Sequence, residues 1–195
     1  MLPPTLSVAL KEWAVVCRAL EAGTQMILLR KGGIVEAIGG FELEHSKFLL
    51  FPTYLHQNMA MLKPDAQAGI TPATTEPEQI TIQSAAEVTD IVRLSNRAQM
   101  DALDSEHIWA PPLIDMRFNY RPKNPLYLLI VRAYRLASPV TIQNTPDYAG
   151  CKSWVPLAHS IACNDVKPVI EESRFLERRE RIHASIDSSA DPKPR

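Results

Sequence analysis

Near the amino terminus, apolar residues recur with the spacing of a helix. The steps between them are four, three, four and three residues, which places them on one helical stripe. The members of this stripe are Leu6, Leu10, Trp13, Cys17 and Leu20. Since Gly23 is a suitable residue just past a helix end, the pattern predicts that the chain opens with a helix.

The next segments are typical of strands, because short apolar or alternating runs stop at glycine, proline or polar turns. A short helix capped by Thr53 is expected near Tyr54, and another from Ser95 to about Leu103. A longer helix is expected after Pro168. The predicted strands are Gln25–Arg30, Phe41–Glu44, Phe48–Phe51, Gln79–Leu94 and Leu126–Leu136, with an edge strand at Pro139–Ile142. The apolar side of the last helix consists of Ile170, Phe175, Leu176 and Ile182.

These elements predict an α+β fold. We expect a mixed or antiparallel sheet with an N-terminal helix, two short internal helices and a C-terminal helix. At 195 residues the chain suits one domain. We place that domain at residues 1–187, with a proline-rich loop at about 63–78 and a disordered tail at 188–195.

Composition and charge exclude several classes of protein. Hydrophobic residues make up 46% of the chain, which is enough for a core and excludes general disorder. Lys and Arg number 21 against 22 Asp and Glu, so the protein is not a basic, histone-like one. The sequence lacks a long apolar run and a signal-like start, and it has only three cysteines. We therefore predict a cytoplasmic protein without a membrane partner.

A stretch without acidic residues is more informative than the net charge. Residues 116–146 contain no Asp or Glu, while basic residues alternate with tyrosines. The run is either an anion-binding or nucleic-acid-binding surface, or a solvated sheet face whose arginines pair with acids elsewhere. Its basic residues are Arg117, Arg121, Lys123, Arg132 and Arg135, and its tyrosines are Tyr120, Tyr127 and Tyr134.

Two shorter motifs are further candidates for binding phosphate. Arg30-Lys31-Gly32-Gly33 places two cations beside a turn whose backbone N–H groups can hold a phosphate, although an ordinary hairpin turn has the same pattern. His56-Gln57 is expected near a helix N-terminus, where anions are favoured.

Acid–base chemistry or metal binding has one candidate group, formed by Glu42, Glu44 and His45, and an enzyme would add His56 to it. The alternative is that both glutamates simply face water. We assign no metal ligands, because Cys151, His159 and Cys163 lack a Cys-x-x-Cys pair and are a weak signal for a metal site. A divalent metal would be needed only if the protein were an enzyme. Motifs for nuclease, serine-hydrolase and dinucleotide sites are missing from the sequence.

A set of segments spread over most of the chain carries a family resemblance, and these segments are 9–14, 27–34, 48–57, 107–109, 132–136 and 148–155. Together they resemble a bacterial family known only as domain of unknown function 1802, from about residue 7 to 160. The resemblance implies no established activity, but it implies a link to restriction–modification systems and thus to DNA. It also favours a site at Arg30, Lys31, His56 and Gln57.

Three functions follow as hypotheses. The first is a protein that binds DNA, RNA or another phosphate-bearing ligand through a basic, aromatic surface. The second is a metal-dependent enzyme acting on nucleic acid or nucleotides. The third is a protein-interaction module, for which an exposed apolar stripe on the last helix would be evidence.

Overall fold

The computed structural model describes residues 1–31, 34–37, 40–70, 73–150 and 152–190. Within these ranges it has nine strands, five α-helices and three short 3₁₀ helices at Met59–Met61, Asp104–Glu106 and Pro146–Tyr148. The strands are β1 (Thr5–Trp13), β2 (Ile27–Arg30), β3 (Ile34–Ala37), β4 (Gly40–Leu43), β5 (Lys47–Thr53), β6 (Gln79–Leu94), β7 (Leu126–Gln143), β8 (Trp154–Ala162) and β9 (Lys167–Pro168). The helices are α1 (Ala14–Glu21), α2 (Pro64–Gln67), α3 (Ala98–Asp101), α4 (Pro111–Asn119) and α5 (Glu172–Ser188).

One mixed sheet organises these elements and confirms the predicted α+β class. Its strand order is β2-β7-β6-β5-β1-β8, and the short β9 pairs with β7. The pair of β1 and β5 is parallel, and the other pairs in the sheet are antiparallel. Strands β3 and β4 form a separate hairpin.

The central strands are buried on both faces, which explains their continuous apolar sequences. In β5, Phe48 and Leu50 pack in one core, while Leu49 and Phe51 pack in the other. The edge segment predicted at Pro139–Ile142 is the continuation of β7, where Ile142 pairs with Ile80 of β6.

The sheet curls so that β2 and β1 approach each other. Four strand spacings separate them in the hydrogen-bonded order, which is roughly 19 Å in a flat sheet. Even so, Arg30 Nη2 of β2 lies 2.8 Å from Glu12 Oε2 of β1. The sheet is therefore strongly bent, and the carboxyl-terminal ends of these two strands meet.

The sequence pattern predicted a helix from Leu6, and this prediction is wrong for residues 6–13. Thr5–Trp13 is a strand, and the helix begins only at Ala14. A register shift lies between Leu6 and Val8, so Leu6 and Leu10 enter different cores. Because β1 is buried on both faces, its apolar positions do not alternate and their spacing resembles that of a helix.

Three further boundaries differ from the predictions. Thr53 ends β5 and caps no helix, because the backbone N–H groups of Tyr54 and Leu55 donate to the Glu76 carboxylate instead. The proline-rich segment begins with helix α2 at Pro64–Gln67. Helix α5 starts at Glu172, since Pro168 belongs to β9.

The tail predicted at 188–195 is described only at its start. Ser188 still belongs to α5, and residues 191–195 lie outside the described part of the chain.

Candidate functional site

A small cleft opens where β1 ends, at the junction with β2 and α4. Its cavity volume is about 10 Å³, and the empty space of about 240 Å³ around it includes the open solvent at its mouth. Two of the three tryptophans of the sequence line it, together with three charged side chains. The lining residues are Glu12, Trp13, Leu29, Arg30, Trp109, Leu113 and Arg117.

Glu12 and Arg30 form the floor of this cleft. Their side chains are only 9% and 11% exposed, and they form the ion pair that joins β1 to β2. The second carboxylate oxygen of Glu12 accepts a hydrogen bond from the backbone N–H of Trp13, at 2.9 Å. The carboxylate therefore lies at the N-terminus of α1, where the helix dipole favours negative charge.

Arg117 enters the cleft from α4 and brings a second guanidinium close to the first. Burial lowers the pKa of Arg117, the carboxylate of Glu12 raises it in part, and the charge of Arg30 lowers it again. Only Arg30 is paired with the carboxylate, so the cleft carries one net positive charge among its lining side chains. That charge is poorly solvated, so a bound anion would stabilise it.

The cleft also contains hydrogen-bond donors without acceptors. The Nε atoms of Arg30 and Arg117 are both buried, and neither has a hydrogen-bond partner among the described residues. A buried N–H without a partner costs about 1–3 kcal/mol. An oxyanion in the cleft would accept from such donors and remove this cost.

Lys31 has a structural role at the edge of the site. Its Nζ donates to the backbone carbonyls of Phe118 at 2.8 Å, Tyr120 at 2.6 Å and Arg121 at 3.4 Å. These carbonyls lie at the end of α4, where a cation also complements the helix dipole. Burial lowers the pKa of Lys31. Lys31 therefore fixes the position of α4 and of the segment that follows it.

That segment continues the basic surface outwards from the cleft. The ring of Tyr120 is exposed, and the guanidinium of Arg121 lies over it, 5.2 Å from the ring centre. Lys123 is exposed two residues later. The structure thus brings Arg30, Lys31 and Arg117 together and places Arg121 next to them along the chain.

Gln57 caps helix α1 rather than facing a ligand. Its Oε1 accepts from the backbone N–H of Val15 at 3.0 Å, and its Nε2 donates to the carbonyl of Tyr54 at 3.4 Å. His56 is exposed and has a positive φ of 66°. Both residues lie in the loop after β5, and Gln57 contacts the same helix N-terminus as Glu12.

Arg132 lies away from the cleft, against α5. It pairs with Glu172, and its guanidinium lies over the rings of Tyr134 and Phe175, at 5.5 Å and 5.4 Å from their centres. These contacts match the alternative in which an arginine of the sheet face pairs with an acid elsewhere. Arg132 therefore stabilises the packing of α5 on the sheet.

The candidate acid–base residues are not brought together with the cleft. Glu44 Oε1 and His45 Nε2 are 3.7 Å apart, and the His45 ring packs edge-on against Trp154. They precede β5, whereas His56 follows it, and a seven-residue strand spans about 20 Å. The side chain of Glu42 and the residues Gly32 and Gly33 lie outside the described part of the chain.

The cysteines and the candidate metal ligands give no further site. Within the described ranges, no three His, Cys, Asp or Glu side chains are grouped as metal ligands would be. Cys17 and Cys163 are both buried, and burial raises the pKa of each thiol. Cys151 lies outside the described residues. Among the described residues, every helix is too short or too polar to cross a bilayer.

Five residues of the cleft were not expected from the sequence to belong to a site, and three of them are charged or aromatic: Glu12, Trp13 and Trp109. Trp13 fitted the helical stripe, and Glu12 is next to it on a segment expected to be a helix surface. The signal for Glu12 would have been an acid at the junction of a strand and a helix, but this junction was not recognised. Trp109 lies in a segment that carries the family resemblance, which indicates no particular role for it.

Comparison with known proteins gives one family and two solved structures. The family model described as domain of unknown function (DUF1802) matches residues 9–181. The crystal structure of ASCH from Zymomonas mobilis is similar, with 11% identity, a TM-score of 0.43, and coverage of 88% of this chain and 93% of that one. A tyrosine-to-phenylalanine mutant of that protein shows 9% identity, a TM-score of 0.39, and coverage of 89% and 96%. None of the curated proteins matches this sequence.

Proposed function

Because the chain belongs to the DUF1802 family, whose description assigns no activity, we propose its function from its own residues. The protein binds nucleic acid, and the cleft between Arg30 and Arg117 holds one phosphate of the strand. The observation that carries this proposal is a pair of arginines in one cleft with a single carboxylate between β1 and β2, each with a buried Nε–H donor that has no partner within the described structure.

Phosphate suits this cleft both in charge and in hydrogen bonding. Guanidinium groups bind phosphate oxygens through directed N–H donors, which a lysine ammonium cannot match in geometry. The cleft has donors to offer and one net positive charge. A phosphate there raises the pKa of Arg117 back toward its ordinary value, since it stabilises the charged form.

The surroundings of the cleft favour a polymer over a single phosphate. Arg117 and Arg121 are four residues apart, and Lys123 follows. The whole segment 116–146 lacks acids that would repel a second or third phosphate. A row of cations beside one buried site suits a chain of phosphates, which is bound through charge neutralisation and release of counterions.

The other two hypotheses receive less support from the geometry. His45 and His56 lie at opposite ends of β5, which argues against a shared catalytic pocket. On α5, Phe175 and Ile182 are buried in the core, and of the predicted stripe only Leu176 is largely exposed. Most of that stripe therefore stabilises the fold. The link to restriction–modification systems stays a prediction of the resemblance.

The test is equilibrium binding of short labelled DNA and RNA, single-stranded and double-stranded, at two salt concentrations and with or without Mg²⁺. We expect binding that weakens steeply with salt. Arg117→Gln should weaken it roughly tenfold or more, because a charged donor to phosphate is lost. Arg174→Gln, which removes an exposed arginine of α5, is the matched control.

A folded protein that binds no nucleic acid at low salt would overturn the proposal. So would binding that Arg117→Gln and Arg174→Gln weaken equally. Incubation of any bound substrate with Mg²⁺ or Mn²⁺ also tests the enzymatic alternative, whose expected signature is cleavage.

A further inference from the structure

The exposed apolar surface of the protein is concentrated beside the cleft. Among the described residues, five large hydrophobic side chains are exposed, and three of them belong to α4, its cap, or the 3₁₀ helix that contacts α4. These three are Met59, Met116 and Tyr120, exposed by 49%, 42% and 53%. An exposed aromatic ring among cations is the composition of a stacking platform for bases.

The backbone that carries the Tyr120 ring is fixed by hydrogen bonds on either side of it. The Tyr120 N–H donates to the carbonyl of Met116 at 2.8 Å, and its own carbonyl accepts from Lys31 Nζ at 2.6 Å. The turn that follows is closed by the Asn124 N–H, which donates to the carbonyl of Arg121 at 2.9 Å. The platform is thus ordered before any ligand arrives, which lowers the entropic cost of binding.

The platform is also at a suitable distance from the phosphate site. Arg117 and Tyr120 are three residues apart, about 4.5 Å along the helix axis and on neighbouring positions of its surface. The two side chains are close enough to interact electrostatically. Within one nucleotide, only the sugar separates the phosphate from its base, so a single nucleotide can reach both residues.

We propose that Tyr120 stacks on an unpaired base of the strand whose phosphate occupies the cleft, so that the ligand is single-stranded. This inference rests on the proposed function. The Arg121 guanidinium covers one face of the ring, and the base stacks on the other. In a duplex both faces of each internal base are already stacked, so a duplex can reach the arginines but not the ring.

The experiment compares three probes of equal phosphate number: a single strand, an abasic strand of the same length, and a duplex whose ends are closed by base-free linkers. The protein should bind the single strand roughly 5- to 100-fold more tightly than the abasic strand, the range that one stacked base supplies. Tyr120→Ala should remove this difference, and Tyr120→Phe should keep it because the ring remains. Leu176→Ala replaces an exposed apolar residue of α5 and serves as the control.

The outcomes separate the two proposals. If the single strand, the abasic strand and the duplex bind equally, the phosphate site stands and the stacking proposal is overturned. The stacking proposal is also overturned if Tyr120→Ala, shown by its thermal melt to be folded, keeps the preference. If none of the probes binds, the proposed function itself fails.

Discussion

A single buried imidazole, that of His107, makes the stability of this protein depend on pH. His107 is 4% exposed, and its Nδ1 accepts a hydrogen bond from the Trp109 N–H at 3.2 Å. Burial, reinforced by the nearby charge of Lys63, lowers the pKa of His107 from 6.5 to about 4. Between these values the unfolded chain takes up a proton and the folded protein does not, so stability falls as the pH falls from 6.5 to about 4.

We predict that His107→Asn reduces this pH dependence. The Asn oxygen can still accept from the N–H two residues on, while no titrating group is left. The measurement is the free energy of unfolding in urea at several pH values across the window. His56→Asn is the control, since that histidine is exposed. An equally steep loss of stability in His107→Asn would contradict this assignment.

Single residues also show how far sequence reasoning reaches at this site. Arg30 and Arg117 were proposed from local charge, and Arg30 also from the adjoining turn and the family resemblance; the two residues lie together in the cleft. Glu12 was missed because its partner is distant in the sequence and lies on a strand that meets β1 only through the curl of the sheet. Arg132 has the same local charge pattern, yet the fold places it against α5. Residue type indicates which groups can bind an anion, but tertiary structure determines which of them do.

At the level of the elements, Lys31 links the end of β2 to the end of α4. Replacing it by Met removes three charge-assisted contacts to backbone carbonyls. We predict a loss of about 1–2 kcal/mol in the free energy of unfolding, because the last carbonyls of α4 return to solvent. Hydrogen exchange at the amides of residues 120–124 should become faster. Lys123→Met removes a neighbouring exposed lysine and should change neither measurement.

Arg178 anchors α5 to the rest of the fold. It pairs with the buried Glu106, and it donates to the carbonyls of Gly23 and Thr24 at 2.6 Å and 2.7 Å. Those two carbonyls follow the end of α1, so one side chain joins three elements.

We predict that Arg178→Met destabilises the protein by about 3–5 kcal/mol, because it leaves the Glu106 carboxylate buried without its main partner. Adding Glu106→Gln should recover part of the loss, since the unpaired charge is then removed. Arg174→Met, on the exposed side of the same helix, should have little effect. A loss below about 1 kcal/mol in Arg178→Met would show that this contact does not anchor α5.

Helices and strands were predicted correctly where their apolar residues follow a regular pattern, and were misjudged where that pattern is irregular or weak. The long strands β6 and β7 and the helix α5 follow directly from local sequence. The strand β1 was taken for a helix because it is buried on both faces and has a register shift, which together produce helix-like spacing. Helix α4 was not foreseen, since its sequence starts with two prolines and shows little apolar periodicity.

For the whole molecule, the important feature is that one ion pair holds the curled sheet together and also forms the floor of the cleft. Glu12 stabilises Arg30 and thereby the contact between β1 and β2. It also occupies part of the guanidinium surface that a phosphate would contact. The same carboxylate therefore increases the stability of the fold and decreases the affinity for a phosphate.

We predict that Glu12→Gln changes these two properties in opposite directions. Stability should fall by a few kcal/mol, because the buried Arg30 guanidinium loses its paired counter-charge. Affinity for a nucleic-acid strand should rise, because the net charge of the cleft increases by one. Urea unfolding and anisotropy titrations of the same preparation measure both. A joint fall of stability and affinity in a protein shown to be folded would contradict this dual role of the carboxylate.

If Arg30 and Arg117 hold a phosphate, their Nε–H groups should respond when a short single strand is added, and NMR can observe these groups individually. Both donors are buried and have no partner in the described structure, so their resonances should shift and exchange more slowly with water as phosphate oxygens accept from them. The Nε–H of the exposed Arg174 should not change. If the strand binds and the resonances of Arg30 and Arg117 stay where they were, the phosphate lies elsewhere and the proposed site is wrong.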